Sequence, residues 1–167
     1  MTRRAPRAST PVRSRLHNRL LAALTDDERQ RLLPHLREVE VGWKQVIQRA
    51  HTPIAHVYFP LSGVFSVVTT LPDGVMVEAT TVGNEGLLGI EAYFGESAIA
   101  GADTMLQVPD GRACRLDARV FRRELEAGGT LKRLLSGYIP DLFANMMLSA
   151  ACNARRAISP FCAFMPK

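Results

Sequence analysis

Apolar positions fall into two regimes along the chain: helical spacing near both ends and near-alternation in the middle. Residues 18–24 form a short amphipathic stretch, and Thr25-Asp26-Asp27-Glu28 is a capping box, in which Thr25 accepts from the Glu28 amide while the Glu28 side chain reaches back. Leu32, Leu33 and Leu36 supply the apolar face of the helix that begins there, and Pro34 breaks or tightens its last turn. From Val39 the period changes towards two and β-branched residues dominate. This predicts strands over 39–41, 45–49, 56–59, 64–70 and 75–82, with two more over 104–108 and 112–116. Turn chemistry separates them, most clearly at Leu71-Pro72-Asp73-Gly74, a hairpin signal, and at Pro109-Asp110-Gly111. Seven or eight short strands joined in this way predict a sandwich or barrel.

Helical spacing returns at Asp117, an N-cap for a helix through Ala127 that Gly128-Gly129 ends. Thr130 caps a second, longer helix over 130–153, with Pro140 as the first residue of a restart after Gly137. Leu131, Leu135, Tyr138, Leu142 and Met146 keep a three-or-four spacing along it, and Phe143, Met147 and Ala151 form a neighbouring stripe. Either both stripes fill one protomer's core, or one packs on the barrel and the other meets a second copy. The stripe of Leu131, Leu135, Tyr138, Leu142 and Met146 is assigned to dimerisation, which predicts a homodimer through the long helix.

Composition narrows the function classes. With 167 residues and 47% apolar content the chain suits one globular domain with an appendage. There is no run of about 18 uncharged apolar residues, and the longest candidate, 139–152, is interrupted by Asp141 and Asn145, so no membrane span is predicted. The net charge of +5 divides into zones: 11 basic against 5 acidic residues through Arg49, none against 7 up to Gly111, and 10 against 4 from Arg112 on. Basic flanks attract nucleic acid, and arginine-rich termini also serve as solubilising arms. The first 25 residues contain no acid and are rich in Arg, Ser, Thr and Pro, a composition shared by transit peptides and disordered arms. Residues 1–15 are read as a basic disordered arm. Cys114, Cys152 and Cys162 lie far apart without paired spacing, which points to a reducing, cytoplasmic setting. An iron–sulfur cluster takes about four thiolates, so none is expected, and no other cofactor is implied.

The order of helix, β-roll, short helix and long helix carries three segments. These are Asn18-Arg19-Leu20-Leu21-Ala22-Ala23-Leu24, His56-Val57-Tyr58-Phe59-Pro60-Leu61-Ser62-Gly63 and Val82-Gly83-Asn84-Glu85-Gly86-Leu87-Leu88-Gly89. Together they resemble Crp/Fnr-family transcription regulators over residues 16–153, and Ser149-Ala150-Ala151-Cys152-Asn153 is similar to the end of that family's dimerisation helix. The resemblance implies a mainly β fold with α elements. It would be a double-stranded β-helix, or jelly-roll, of the cyclic-nucleotide-binding-like type over 16–127, with N-terminal helices and a C-terminal dimerisation helix. It places a small-molecule effector at a pocket loop formed by Gly83, Asn84, Glu85, Gly86 and Gly89. Family members that bind cyclic AMP carry a Gly-Glu pair for the ribose and an Arg-Ser/Thr pair for the phosphate. Here Ile90 follows Gly89, and residues 100–104 read Ala, Gly, Ala, Asp and Thr, so no cation meets a phosphate and Asp103 repels one. Cyclic AMP is therefore not the expected effector, whose identity the sequence leaves open. Family members continue into a winged helix-turn-helix. The residues after Asn153, ARRAISPFCAFMPK, are too few for one, so sequence-specific DNA binding by this chain alone is not expected. The expected function is the effector-sensing and dimerisation module of such a regulator, truncated before its DNA-binding domain, or a stand-alone partner of full-length relatives.

No catalytic grouping is found, and the chain is read as a non-enzyme. A small cupin-like metalloenzyme is the competing class, which needs closely spaced histidines and a carboxylate. His51 and His56 are five apart, on opposite faces of a strand that Thr52-Pro53 interrupts, and Glu78 is a lone carboxylate, so no metal site is assigned.

Overall fold

A computed structural model of the chain describes residues 17–162, with side chains through Asn153. The arm predicted over residues 1–15 and the end of the tail, residues 163–167, lie outside the described residues. Helix α1 (Arg19–Ala22) starts at Asn18, whose side-chain oxygen accepts from the Leu20 and Leu21 amides at 3.1 and 3.2 Å. Helix α2 (Asp26–Leu32) has both halves of the predicted capping box: Thr25 Oγ1 accepts from the Glu28 amide, and Glu28 Oε2 accepts from the Thr25 amide. Pro34 tightens the exit of α2 into a 3-10 turn, Leu33–His35, as its position predicts.

Seven strands follow: β1 (Arg37–Val41), β2 (Val46–Gln48), β3 (His56–Ser62), β4 (Phe65–Thr70), β5 (Met76–Val82), β6 (Asp103–Leu106) and β7 (Gly111–Asp117). They pair antiparallel in two sheets, ordered β1-β7-β3 and β2-β6-β4-β5, as in a jelly-roll sandwich; among the described residues strand pairing does not close them into one cylinder. The β4–β5 hairpin turns on the predicted residues, with the Leu71 amide bonded to the Val75 carbonyl and Gly74 at φ 84°. Pro60 sits on β3 at a sheet edge, where a missing amide is tolerated, beside a register shift between Pro60 and Ser62.

Alternation sorts side chains into two cores. On β7, Ala113 faces Phe65, Val82 and Leu106 between the sheets, while Cys114 and Leu116 face the helices. Val57, Phe59 and Leu61 of β3 join that larger helix-side core, which includes Leu20, Leu21, Leu24 and Leu32 from α1 and α2. Phe59, Phe65 and Phe121 are fully enclosed.

Helix α3 (Ala118–Glu126) is capped by Asp117 as expected, and buries Phe121 and Leu125. Helix α4 (Thr130–Cys162) departs from expectation three times. It runs on through Pro140 without a restart, because Leu135 and Tyr138 before the proline and Leu142 after it all pack on the body, which outweighs one lost backbone bond. It extends beyond Asn153 to Cys162, so the segment after Asn153 is helical backbone rather than the expected tail over most of its length. Its cap is not the Thr130 hydroxyl. Glu28 Oε1 accepts from the amides of Thr130 at 2.6 Å and Leu131 at 3.2 Å, so one carboxylate closes both α2 and α4.

Candidate functional site

The loop predicted to hold an effector, residues 83–89, is fastened into the body at nearly every position. Asn84 takes the Arg19 amide on its carbonyl at 2.8 Å and donates its side-chain amide to the His17 carbonyl. The Asn18 side chain, wholly enclosed, donates to the Gly86 and Pro60 carbonyls at 2.9 and 3.1 Å. Glu85 turns back to accept from the Gly83 amide at 2.8 Å. Gly86 leaves room for Tyr138 of α4, whose hydroxyl accepts from the Leu87 amide, and any Cβ on Gly86 would collide with that hydroxyl. Burial pushes the Tyr138 phenol up, and nearby Glu85 adds to this against the Leu87 amide, so the ring stays neutral. Asn84 and Gly86 therefore brace α1 and α4, Glu85 braces the loop itself, and the residue in the sequence that marks this role is Asn18.

Gly89 is different. It adopts φ 77° at the start of a 3-10 turn, Ile90–Phe94, that the sequence did not foretell, and a Cβ there would meet the His56 carbonyl at 3.0 Å and Gln48 Oε1 at 3.3 Å. Gln48, His56 and Tyr58 line a cavity of about 170 Å³ between β2 and β3. Gln48 Oε1 is shielded from solvent and has no hydrogen-bond partner among the described residues. Burial, with help from the Arg115 guanidinium and against Asp117, holds the His56 imidazole below its ordinary value. The cavity thus offers an unmet acceptor, a neutral imidazole, a phenol and, at its lining, the Arg49 side chain.

Within residues 100–104, where the resemblance places the phosphate arginine, Ala100 is buried and its carbonyl accepts from the His51 amide at 2.8 Å. Next to it the Gly101 amide donates to Glu91 Oε1 at 3.3 Å, and Asp103 accepts from the Ala50 amide at 2.7 Å. Carboxylates of the protein itself, Glu85, Glu91 and Asp103, occupy amides that an anion would otherwise use.

Two antiparallel sheets with helices before and after them can be compared with known proteins. No protein-family model matches the chain, and neither does any curated protein. Solved structures do match. The sensor domain of the transcriptional regulator DNR from Pseudomonas aeruginosa superposes with a TM-score of 0.59 at 15% identity, covering 93% of each chain. A putative cyclic nucleotide-binding protein from Geobacter metallireducens gives 0.63 at 14% identity, over 84% of this chain and 99% of that one. The fold is that of cyclic nucleotide-binding-like domains. The regulatory subunit of a cAMP-independent protein kinase A from Trypanosoma brucei gives 0.63 at 20% identity, over 76% of this chain, which spans 45% of that subunit.

Within this cyclic nucleotide-binding-like fold the long helix corrects one assignment. Leu131 and Leu135 belong to the protomer's own core and are closed to a second copy, and Tyr138 and Leu142 pack, half-buried, against the body. Met146 shares that half-buried face, and Asn153 ends it by donating to the Glu78 carbonyl on edge strand β5 at 2.9 Å. The neighbouring stripe of Phe143, Met147 and Ala151 is uncovered, with Leu148 beside it: Phe143, Met147 and Leu148 are 64%, 61% and 65% exposed. The carboxylate considered for a metal, Glu78, accepts from Ser66 Oγ and from Gln107 Nε2. Among the described residues no three or more His, Cys, Asp or Glu side chains gather as a metal site. Nor is any described helix long and apolar enough to cross a membrane.

Proposed function

We propose that the chain is the effector-sensing and dimerisation module of a Crp/Fnr-like transcription regulator, that it works in the cytoplasm, and that it does not bind cyclic AMP. The observation that carries the reading is the capture of the Gly83, Gly101 and Ala50 amides by Glu85, Glu91 and Asp103, in a fold whose relatives are sensors. A phosphate arriving at those amides would meet carboxylates already bonded to them. One charge-assisted hydrogen bond is worth about 1.5–3 kcal/mol, or roughly ten- to a hundredfold in affinity, and here its sign is reversed as well. The effector of this reading is instead a small neutral molecule held in the cavity beside Gly89, where Gln48 Oε1 needs a donor and Arg49 disfavours a cation. Dimerisation runs through Phe143, Met147 and Leu148 of α4.

Calorimetric titration with cyclic AMP and cyclic GMP tests the claim. No saturable heat is expected at millimolar nucleotide, and a dissociation constant in the low micromolar range would overturn the reading. The double variant Ala100→Arg/Asp103→Ser is expected to gain measurable phosphate affinity over the parent.

A further inference from the structure

A second cavity, of about 380 Å³, opens on the other side of the 3-10 turn Ile90–Phe94, where that turn meets α3 and the first turn of α4. Its lining combines two kinds of chemistry. Arg122 and Lys132 supply cations from two different helices, and neither forms an ion pair among the described residues. Arg122 Nη1 is moreover shielded from water and lacks any hydrogen-bond partner among the described residues. A buried charged donor left unmet is expensive, and folded proteins rarely keep one without use. The apolar half is Leu125 with Tyr93 and Phe94, whose rings meet edge to face at 5.4 Å. Phe94 is 71% exposed, the most exposed of the large apolar side chains among the described residues. Glu126 also lines the cavity, and its carboxylate sets a limit: with two cations against one anion, a multiply charged phosphate is a poorer match than a monoanion.

We propose that this cavity binds a small amphipathic monoanion, a carboxylate or sulfonate carried on an aromatic body, with the acid group on Arg122 and Lys132 and the ring against Phe94. The site is separate from the cavity beside Gly89 and does not depend on what that cavity takes. Its position gives it a consequence. Gly128 and Gly129, at φ 74° and 109°, form the joint between α3 and α4, and a ligand touching Arg122 and Lys132 bridges that joint. Occupancy would fix the angle at which α4 leaves the body.

The test is a titration of the whole chain with 2-naphthoate, followed by calorimetry and amide chemical shifts, beside the neutral match 2-naphthylmethanol. The expected result is saturable binding of the acid, with shifts gathered at Phe94, Gly95, Arg122, Glu126 and Lys132. Arg122→Met should weaken it roughly ten- to a hundredfold, the range of one charge-assisted hydrogen bond. Phe94→Ala should weaken the acid and the alcohol alike. Equal affinity for acid and alcohol, shifts gathered instead at Phe143 and Met147 or around Gln48 and His56, or no saturation by about 5 mM acid would each overturn the proposal. Should Arg122→Met fail to fold, Lys132→Met decides, because that side chain is exposed: an unchanged affinity for 2-naphthoate refutes the site, and a loss of several-fold upholds it.

Discussion

Glu28 carries more of the architecture than any other polar side chain described. Burial alone would raise its pKa, but hydrogen bonds from the Thr25 hydroxyl and from the amides of Leu131, Thr25 and Thr130 outweigh it and bring the carboxyl from 4.5 down to about 2. The folded protein therefore releases this proton more readily than the unfolded chain does. The contribution is fully present above about pH 5 and is lost as pH falls from 4.5 through 2. Each pKa unit is worth about 1.4 kcal/mol, and solvent screening brings the whole to about 2 kcal/mol. Urea denaturation of Glu28→Gln should show this loss at pH 7 and a flatter stability profile between pH 5 and pH 3 than the parent. Asn18 is the neutral counterpart, since it satisfies two amides and two carbonyls from a fully enclosed position. Asn18→Ala is expected to cost about 2–4 kcal/mol in the same assay, from one lost cap and several unmet buried groups. The capping box was legible because its partners are three residues apart. The second duty of Glu28, at Thr130, was not, because no local pattern records a contact between ends of the domain.

At the level of elements, strands were legible where alternation and turn chemistry agreed, as from β3 through β5. The 3-10 turn Ile90–Phe94 was not, since it is too short to show a period. Helix α4 was seen with both of its apolar stripes, yet spacing cannot say which stripe a body covers. Leu131 and Leu135 were assigned outward and lie inward, because α4 packs along edge strand β5 and beside α3. The two stripes now make opposite predictions. Phe143→Asp/Met147→Asp should leave protomer stability within about 0.5 kcal/mol while weakening self-association at least tenfold, read by sedimentation velocity. Leu135→Ala should instead cost about 2–5 kcal/mol in folding.

For the molecule as a whole, the fold could be read because strand pattern, turn residues and flanking helices all point to one two-sheet arrangement. The ligand could not, because the sequence shows which residues are missing from a phosphate site but not which groups take their place. Glu91 and Asp103 were visible as acids; that they hold the Gly101 and Ala50 amides emerges only from the folded chain. Four of the five loop residues assigned to a ligand mainly brace helices or the loop itself, and Gly89 lies against Gln48 and His56, two residues that line a cavity.

The bond from Glu28 to the Thr130 amide also bears on how the chain is made. Its partners are 102 positions apart. At about 5–20 residues per second, a ribosome needs roughly 5–20 s to pass from one to the other. For that interval the N-terminal helices hold a carboxylate whose second set of donors has not yet been synthesised, and the opening turn of α4 gains its cap only after both sheets have been translated. A nascent chain stalled before Thr130 should therefore present α1 and α2 as loosely held, chaperone-accessible helices, and α4 takes its cap from a segment made long before it.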